Sequence, residues 1–341
     1  MFKEKTVFVV GAGASSEYGL PVGIELANTI ASLMRFEFDF GQLQEGDRKI
    51  LNVLKHKFNN QNEPVNSHLQ AARRISEGVT QTDSIDQYLY IHGDDEEAIF
   101  CGKAAVVRAI LEAEKESNLY YDLTAHPQMI DFENLNNHWL KPFFTQLIAG
   151  RQKAHLNEIF RGITIICFNY DRCIEHYLIH ALQKAYFIPP SEAAKLVSLL
   201  EIFYPYGKVG ELKTDLNPNG VPFGADLNVD KFIQTVQGIR TYTEQVEDEN
   251  SLVRIKRSIT NANAIVFLGF AYHPQNMEIL KPDNIKELTT NIFGTAYGIS
   301  DHGTKEVANL TKTLTIGNIA NIEINNKLKC EPFLKHFQLS L

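Results

Sequence analysis

Residues 6–10 read TVFVV, an unbroken apolar and β-branched run that stops at Gly11. A run of that length bounded by glycine predicts a strand buried on both faces. The same signature recurs at 163–168 (ITIICF), ended by Asn169, and at 264–268 (AIVFL), ended by Gly269. A shorter strand candidate spans 201–206. Between these runs the apolar positions recur every three or four residues, which predicts helices over 24–34, 174–185 and 253–262. The stretch at 36–158 has a different texture, with few β-branched runs and helical periodicity over 47–58, 67–77, 84–92, 96–118 and 135–159. In the first of these, Ile50, Leu51, Leu54 and Phe58 share one face.

Strands that alternate with helices predict a parallel sheet covered on both sides. The expected architecture is α/β, a Rossmann-like parallel sheet with helices on both faces, built from residues 1–35 and 159–341. Residues 36–158 would form a mostly helical inserted subdomain.

Composition narrows the class. With 341 residues, 44% hydrophobic and 22% charged, the chain can bury a core without metals or disulfides. Its 33 Lys and Arg against 41 Asp and Glu leave a net charge of −8, which disfavours direct nucleic-acid binding. Cys101, Cys167, Cys173 and Cys330 form no C-x-x-C pair, so a zinc ribbon is not expected, and this usage suits a reducing, cytoplasmic setting. Lys3, Glu4 and Lys5 lead straight into a strand, unlike a secretory leader, and no apolar run nears the length of a membrane span.

The candidate chemistry begins at the first strand's end. Gly11, Ala12, Gly13, Ala14 and Ser15 form a glycine turn with a helix start behind it, a pattern that lets backbone N–H groups approach a phosphate. The usual dinucleotide fingerprint needs a third glycine where Ser16 stands, and the next glycine is Gly19, followed by Leu20 and Pro21. In an open parallel sheet, ligands bind beyond the carboxyl ends of the strands. Four such ends carry notable residues: Gly11–Ser15, Asn169–Asp171, Tyr206 with Gly207, and Gly269 with Phe270 through His273. Their convergence is expected from topology.

The spacing G-A-G-x-S-x-x-x-G-x-P from Gly11 to Pro21 resembles the first motif of the sirtuin superfamily. F-N-Y-D at 168–171 resembles the motif in which an Asn and an Asp flank one apolar residue. The resemblance implies that Asn169 orients the nicotinamide ribose and an attacking water, and that Asp171 contacts the ribose or carboxamide side of NAD. Fixed dipoles of this kind suit the oxocarbenium character that develops when the ribose–nicotinamide bond breaks. The same residues also suit a structural role, Asn169 as a helix cap and Asp171 in the first turn. Sirtuins carry a His-Gly pair where this chain has Tyr206 and Gly207, and a phenol, with reference pKa near ~10, is a poor base at neutral pH. Tyr206 can equally pack or hydrogen-bond a ribose. Gly269, Phe270 and Ala271 match the late segment that touches the cofactor phosphates or adenosine ribose, and His273 is either a substitute base or a capping residue. Residues 291–297, resting on Gly294 and Thr295, resemble a last loop near the adenine. Ser84, Ile85 and Asp86 resemble a short element of the defence branch, although Ser84 with Gln87 also reads as an ordinary capping box.

Classical deacylases carry a zinc ribbon and a Phe-Arg pair where Val22, Gly23 and Ile24 stand here. With the helical insertion, these departures resemble the sirtuin-like domains of bacterial antiphage defence systems. That branch implies an NAD hydrolase that yields nicotinamide and ADP-ribose, with NAD as substrate, no zinc, a homo-oligomer, and a partner ATPase or other defence protein. A protein deacylase and a non-enzymatic NAD or ADP-ribose sensor are the alternatives.

Overall fold

The computed structural model describes residues 2, 5–59, 65–122, 129–283, 290–315 and 319–341; Lys3 and Glu4 lie outside them. The strands are β1 (Thr6–Val10), β2 (Glu37–Asp39), β3 (Gln42–Glu45), β4 (Ile163–Cys167), β5 (Glu201–Phe203), β6 (Ala264–Leu268), β7 (Thr290–Thr295) and β8 (Ile319–Asn325). β2 and β3 make a separate hairpin, and the other six form one sheet in the order β5-β4-β1-β6-β7-β8. Every pairing in that sheet is parallel. Leaving the hairpin aside, the order runs 3-2-1-4-5-6, that of dinucleotide-binding sheets, and the chain reverses direction across the sheet between β1 and β6. The fold is a Rossmann-like α/β sheet with helices around it.

Alternation along β1 explains the two-sided burial. Val7 and Val9 enter one core with Ile166, Ile265, Phe267 and Ile292, while Phe8 and Val10 enter the other with Ile165, Cys167, Val266 and Leu268. The first core is completed by helix Gly23–Leu33 and the helices Arg48–Asn59, Val65–Gly78 and Glu96–Glu116. The second is completed by helices Leu140–Ile148, Cys173–Tyr186 and Cys330–His336. Residues 36–158 therefore contribute to both faces of the sheet.

Two expectations need correction. The single helix expected over 135–159 is a short 3-10 turn, Phe132–Leu135, then helix Leu140–Ile148, then a second 3-10 segment, Lys153–Glu158. Ala149 leaves the helical region at ψ 121° and Gly150 follows at φ +70°, which stops the helix. Residues 290–295 are a strand rather than a loop, because β6 and β8 pair with it from both sides.

The turns after β1 and β6 cross at the carboxyl end of the sheet. Gly11 donates its N–H to the Leu268 carbonyl at 3.0 Å, and Gly13 to the Gly269 carbonyl at 2.9 Å. A Cβ on Gly11 would sit 2.6 Å from the Gly269 carbonyl oxygen, and one on Gly269 would sit 2.0 Å from the Ala14 nitrogen. Gly269 also has φ +58°. Replacing Gly269 by Ala is expected to cost about 3 kcal/mol or more, from the clash and the left-handed backbone together. Gly19→Ala, at φ +90° but with open space around it, is expected to cost only about 1–2 kcal/mol. Urea unfolding of the two variants checks this, and equal costs would contradict the crossing as the reason for the glycine.

Candidate functional site

A cleft of about 480 Å³ opens at this crossing. Gly11 and Ala12 enter from the end of β1, Phe168 and Asn169 from β4, Tyr206 from the turn beyond β5, and Phe270, Ala271 and His273 from the turn beyond β6. Four strand ends thus meet in one cavity. Pro274, Gln275 and Asn276 continue the last of these ends, and the remaining wall comes from Gly23 and Ile24 and from Asp83, Ser84, Asp86 and Gln87 around the start of helix Ile85–Ile91. A narrow recess of about 80 Å³ shares Ala12, Asp86 and Asn169 with the cleft and reaches Ser15, Pro21 and Asp171.

Asn169 is buried, and its side chain is held from two directions. Nδ2 donates to the Gly11 carbonyl at 3.1 Å and to Ser15 Oγ at 2.8 Å. The amide is therefore fixed with Oδ1 left over from both bonds. Ser15 is also hydrogen-bonded to Asp171, and Asp171 Oδ1 accepts from the Cys173 N–H at 3.0 Å. Asp171 is buried, which pushes its carboxyl above the usual range. It lines the recess but not the cleft, so it acts through Ser15 and through the first N–H of helix Cys173–Tyr186, whose N-cap position is Arg172. Ser15 links the two motifs.

Tyr206 stands in the cleft as a hydrogen-bond donor. Its hydroxyl donates to Asn276 Oδ1 at 2.6 Å, and burial pushes the phenol well up. A base must accept a proton, so the geometry takes Tyr206 out of that role. Its ring instead joins Phe168 and Phe270 in an aromatic wall, with centroids 5.9 Å and 5.1 Å from that of Phe168. His273 precedes Pro274 at the N-terminus of helix Pro274–Leu280 without a side-chain cap bond. It is near enough to Asp86 to favour that carboxylate electrostatically.

Asp86 also lines the cleft. Part of the residue is exposed, yet its carboxyl is enclosed, and burial pushes its pKa up. Tyr170 donates its hydroxyl to Asp86 Oδ1. The expected capping role of Ser84 is also present: its side chain accepts from the Gln87 N–H at 3.2 Å, while Gln87 accepts from the Asp83 N–H at 2.8 Å. That cap accounts for the local pattern and hides the carboxylate that the next turn presents to the cleft. Only the motif resemblance at Ser84–Asp86 pointed to it.

The remaining candidates lie around the cleft. Ala14 is buried in the second core. Gly13 is committed to Gly269, and the Gly13 and Gly11 N–H groups are both used by protein carbonyls rather than left for an anion. Ala12 is the first helical residue of Ala12–Ser15, and its N–H has no acceptor within the helix. Gly207 meets the 238–239 backbone, where a Cβ would be 1.9 Å from the Gly238 carbonyl oxygen. Gly294 and Thr295 end β7 and brace the neighbouring turn: Thr295 Oγ1 accepts from the Gly269 N–H at 2.8 Å, and Tyr272 donates to the Thr295 carbonyl at 3.1 Å. They support the cleft without lining it.

The turn that carries Asn169 is anchored to the inserted segment by a buried ion pair. Arg172 and Glu114 are both fully buried, with Arg172 Nε donating to Glu114 Oε1 at 3.0 Å and Nη2 to Oε2. The Arg172 and Gly224 N–H groups also donate to Glu114, at 3.1 and 3.0 Å. Arg172 further donates to the Val221 and Pro222 carbonyls, at 2.6 and 3.1 Å. Removing one partner of such a pair typically costs about 3–5 kcal/mol, because the other charge is left buried and unpaired.

A larger cleft of about 870 Å³ lies at the opposite, amino end of the strands, beside Lys5, Gly162 and Ile163. Two of its cations are neutralised locally, Arg254 by Glu201 and Lys256 by Asp283. Among the described residues, no group of three or more His, Cys, Asp or Glu is gathered to hold a metal, and no helix is long and apolar enough to cross a membrane. Comparison with known proteins finds no family model, no curated protein and no solved structure that matches this chain.

Proposed function

We propose that this chain is an NAD hydrolase that cleaves the ribose–nicotinamide bond to give nicotinamide and ADP-ribose. The observation that carries the reading is Asn169, an amide clamped by Gly11 and Ser15 at the switch point of the sheet, with its Oδ1 uncommitted to either bond. In the reaction, the C1′–N1 electron pair leaves with nicotinamide, water adds to the ribose carbon, and one proton is released. Asn169 Oδ1 would orient the ribose and the water, at no reorganisation cost in the transition state. Asp86 would receive the proton, in the role that Tyr206 cannot take. The Phe168, Tyr206 and Phe270 rings would exclude bulk water. Among the described residues no lysine or arginine lines the cleft, so the pyrophosphate would rest on backbone N–H groups such as that of Ala12.

The reading extends to a regulated effector of antiphage defence that depletes NAD and works as a homo-oligomer or with a partner such as an ATPase. The support for that extension is the motif set alone. Deacylation is disfavoured by Tyr206, because activating a ribose hydroxyl needs a stronger base than a hydroxyl donor locked on Asn276.

The protein incubated with NAD, alone and with the protein encoded beside it, should release nicotinamide. Asn169→Ala should lower that release on the order of 100-fold or more while ADP-ribose still binds. Turnover near the wild-type level would refute the role of Asn169. ADP-ribose binding without nicotinamide release in either mixture would replace hydrolysis with a sensor.

Asp86 gives a pH test. A base works when deprotonated, and burial raises the Asp86 pKa, so wild-type turnover should fall on the acid side with a midpoint above the ~3.9 of an ordinary aspartate. Asp86→Asn should be slow and lack that acid limb. An unchanged profile in the variant would assign the proton elsewhere.

A further inference from the structure

A second cavity, of about 570 Å³, runs along helix Cys173–Tyr186 and shares no lining residue with the NAD cleft. Its size falls in the range of small-molecule sites. His176 and His180 lie one turn apart, so both imidazoles face the same side of the helix. His176 stacks on Phe223 with centroids 4.0 Å apart and rings 1° from parallel. Tyr121 lies 9° from parallel with His176 and edge-on to His180, at 5.1 Å from the latter.

The two histidines differ in their partners. His176 Nε2 bonds the Leu119 carbonyl oxygen at 3.1 Å. His180 is only 7% exposed; its Nδ1 is sealed off without a hydrogen-bond partner, which leaves Nε2, bonded by no group of the described residues, as the ring edge a ligand could reach. Burial holds this imidazole neutral, with its pKa pushed down to about 4, so the ring keeps one N–H and one bare acceptor. Tyr120, Tyr121, Ile179 and Pro222 supply apolar wall, and Gln183, Thr214, Lys213 and Asp215 supply the polar part of the lining.

An aliphatic ligand would leave the imidazole edge without a partner. A small ion would be stranded among rings, and an isolated phosphate at Lys213 would also meet Asp215. A flat heteroaromatic ring answers both constraints, with apolar faces for the walls and a polar edge for the imidazole. We propose that this cavity is a second ligand site, which takes a nucleobase of a nucleoside or nucleotide against Tyr121 with its polar edge at His180. The site touches the catalytic turn through the anchor already described. Pro222 and Phe223 flank it, and the Val221 and Pro222 carbonyls accept from Arg172. An occupant would thereby bear on the turn that holds Asn169. This regulatory consequence rests on the proposed NAD chemistry, whereas occupancy of the cavity does not.

The test uses the full chain with ¹⁵N-labelled histidine, titrated separately with adenosine, guanosine, cytidine and uridine. His180 reports this cavity, and His273 reports the NAD cleft. At least one nucleoside should shift the His180 ring resonances saturably, and Tyr121→Ala should weaken that binding about tenfold. His180→Phe, which keeps a ring but no nitrogen, should weaken it by a similar factor in calorimetry and serves if Tyr121→Ala does not fold. The proposal is overturned if only His273 responds, if no nucleoside binds at about 1 mM, or if His180→Phe binds as well as wild type. None of these readouts uses nicotinamide release, so the two readings stand or fall separately.

Discussion

At the carboxyl end of the sheet, two backbone turns pack against each other with no side chain between them. Gly11 and Gly13 on one side and Gly269 on the other leave no space for a Cβ, and their N–H and carbonyl groups bond directly across the contact. Because β1 and β6 are hydrogen-bonded neighbours at the switch point, this contact sets the relative height of their ends. The cleft depends on it. The Gly11 carbonyl clamps Asn169 from one side, and the turn after Gly269 delivers Phe270 and His273 to the other. Thr295 and Tyr272 then tie β7 to the same turn. The glycines serve the protein's own backbone first, and a ligand meets what the crossing leaves open.

A second constraint ties the inserted segment to the site. The Arg172–Glu114 pair joins helix Glu96–Glu116 to the residue after Asp171, and Tyr170 reaches across to Asp86 at the start of another inserted helix. The segment is thus wall and brace of the cleft. A displacement of these helices would move Asp86 and the Asn169 turn together. That coupling offers a physical route by which an occupant of the cavity along Cys173–Tyr186 would reach the cleft.

Much of the frame was legible in the sequence because the central strands are continuous apolar runs with sharp polar or glycine ends. Thr6–Val10 and Ala264–Leu268 fall where their runs begin and stop. Strand β8 is not legible as a run, because Ile319–Asn325 mixes asparagine and glutamate with its isoleucines at the sheet edge. The strand at Thr290–Thr295 read as a loop because its Asn and Gly are poor strand formers alone and are stabilised only by the neighbours on both sides. Within the site, the Asn169 and Ser15 motifs were visible, but their direct bond was not, since it depends on the β1–β4 pairing. Asp86 was masked by a capping pattern sufficient to explain its neighbours. The commitment of Gly13 to Gly269 is a tertiary contact that no local spacing encodes.

Under the proposed chemistry, NAD sits at the glycine crossing with its nicotinamide ribose at Asn169. A crystal structure with ADP-ribose bound tests it most directly. The terminal ribose is expected within hydrogen-bond distance of Asn169 Oδ1, with the pyrophosphate over Ala12 and the Asp86 carboxylate facing the C1′ carbon. ADP-ribose bound instead in the cleft beside Lys5 and Arg257 at the amino end of the strands, with the crossing empty, would contradict it.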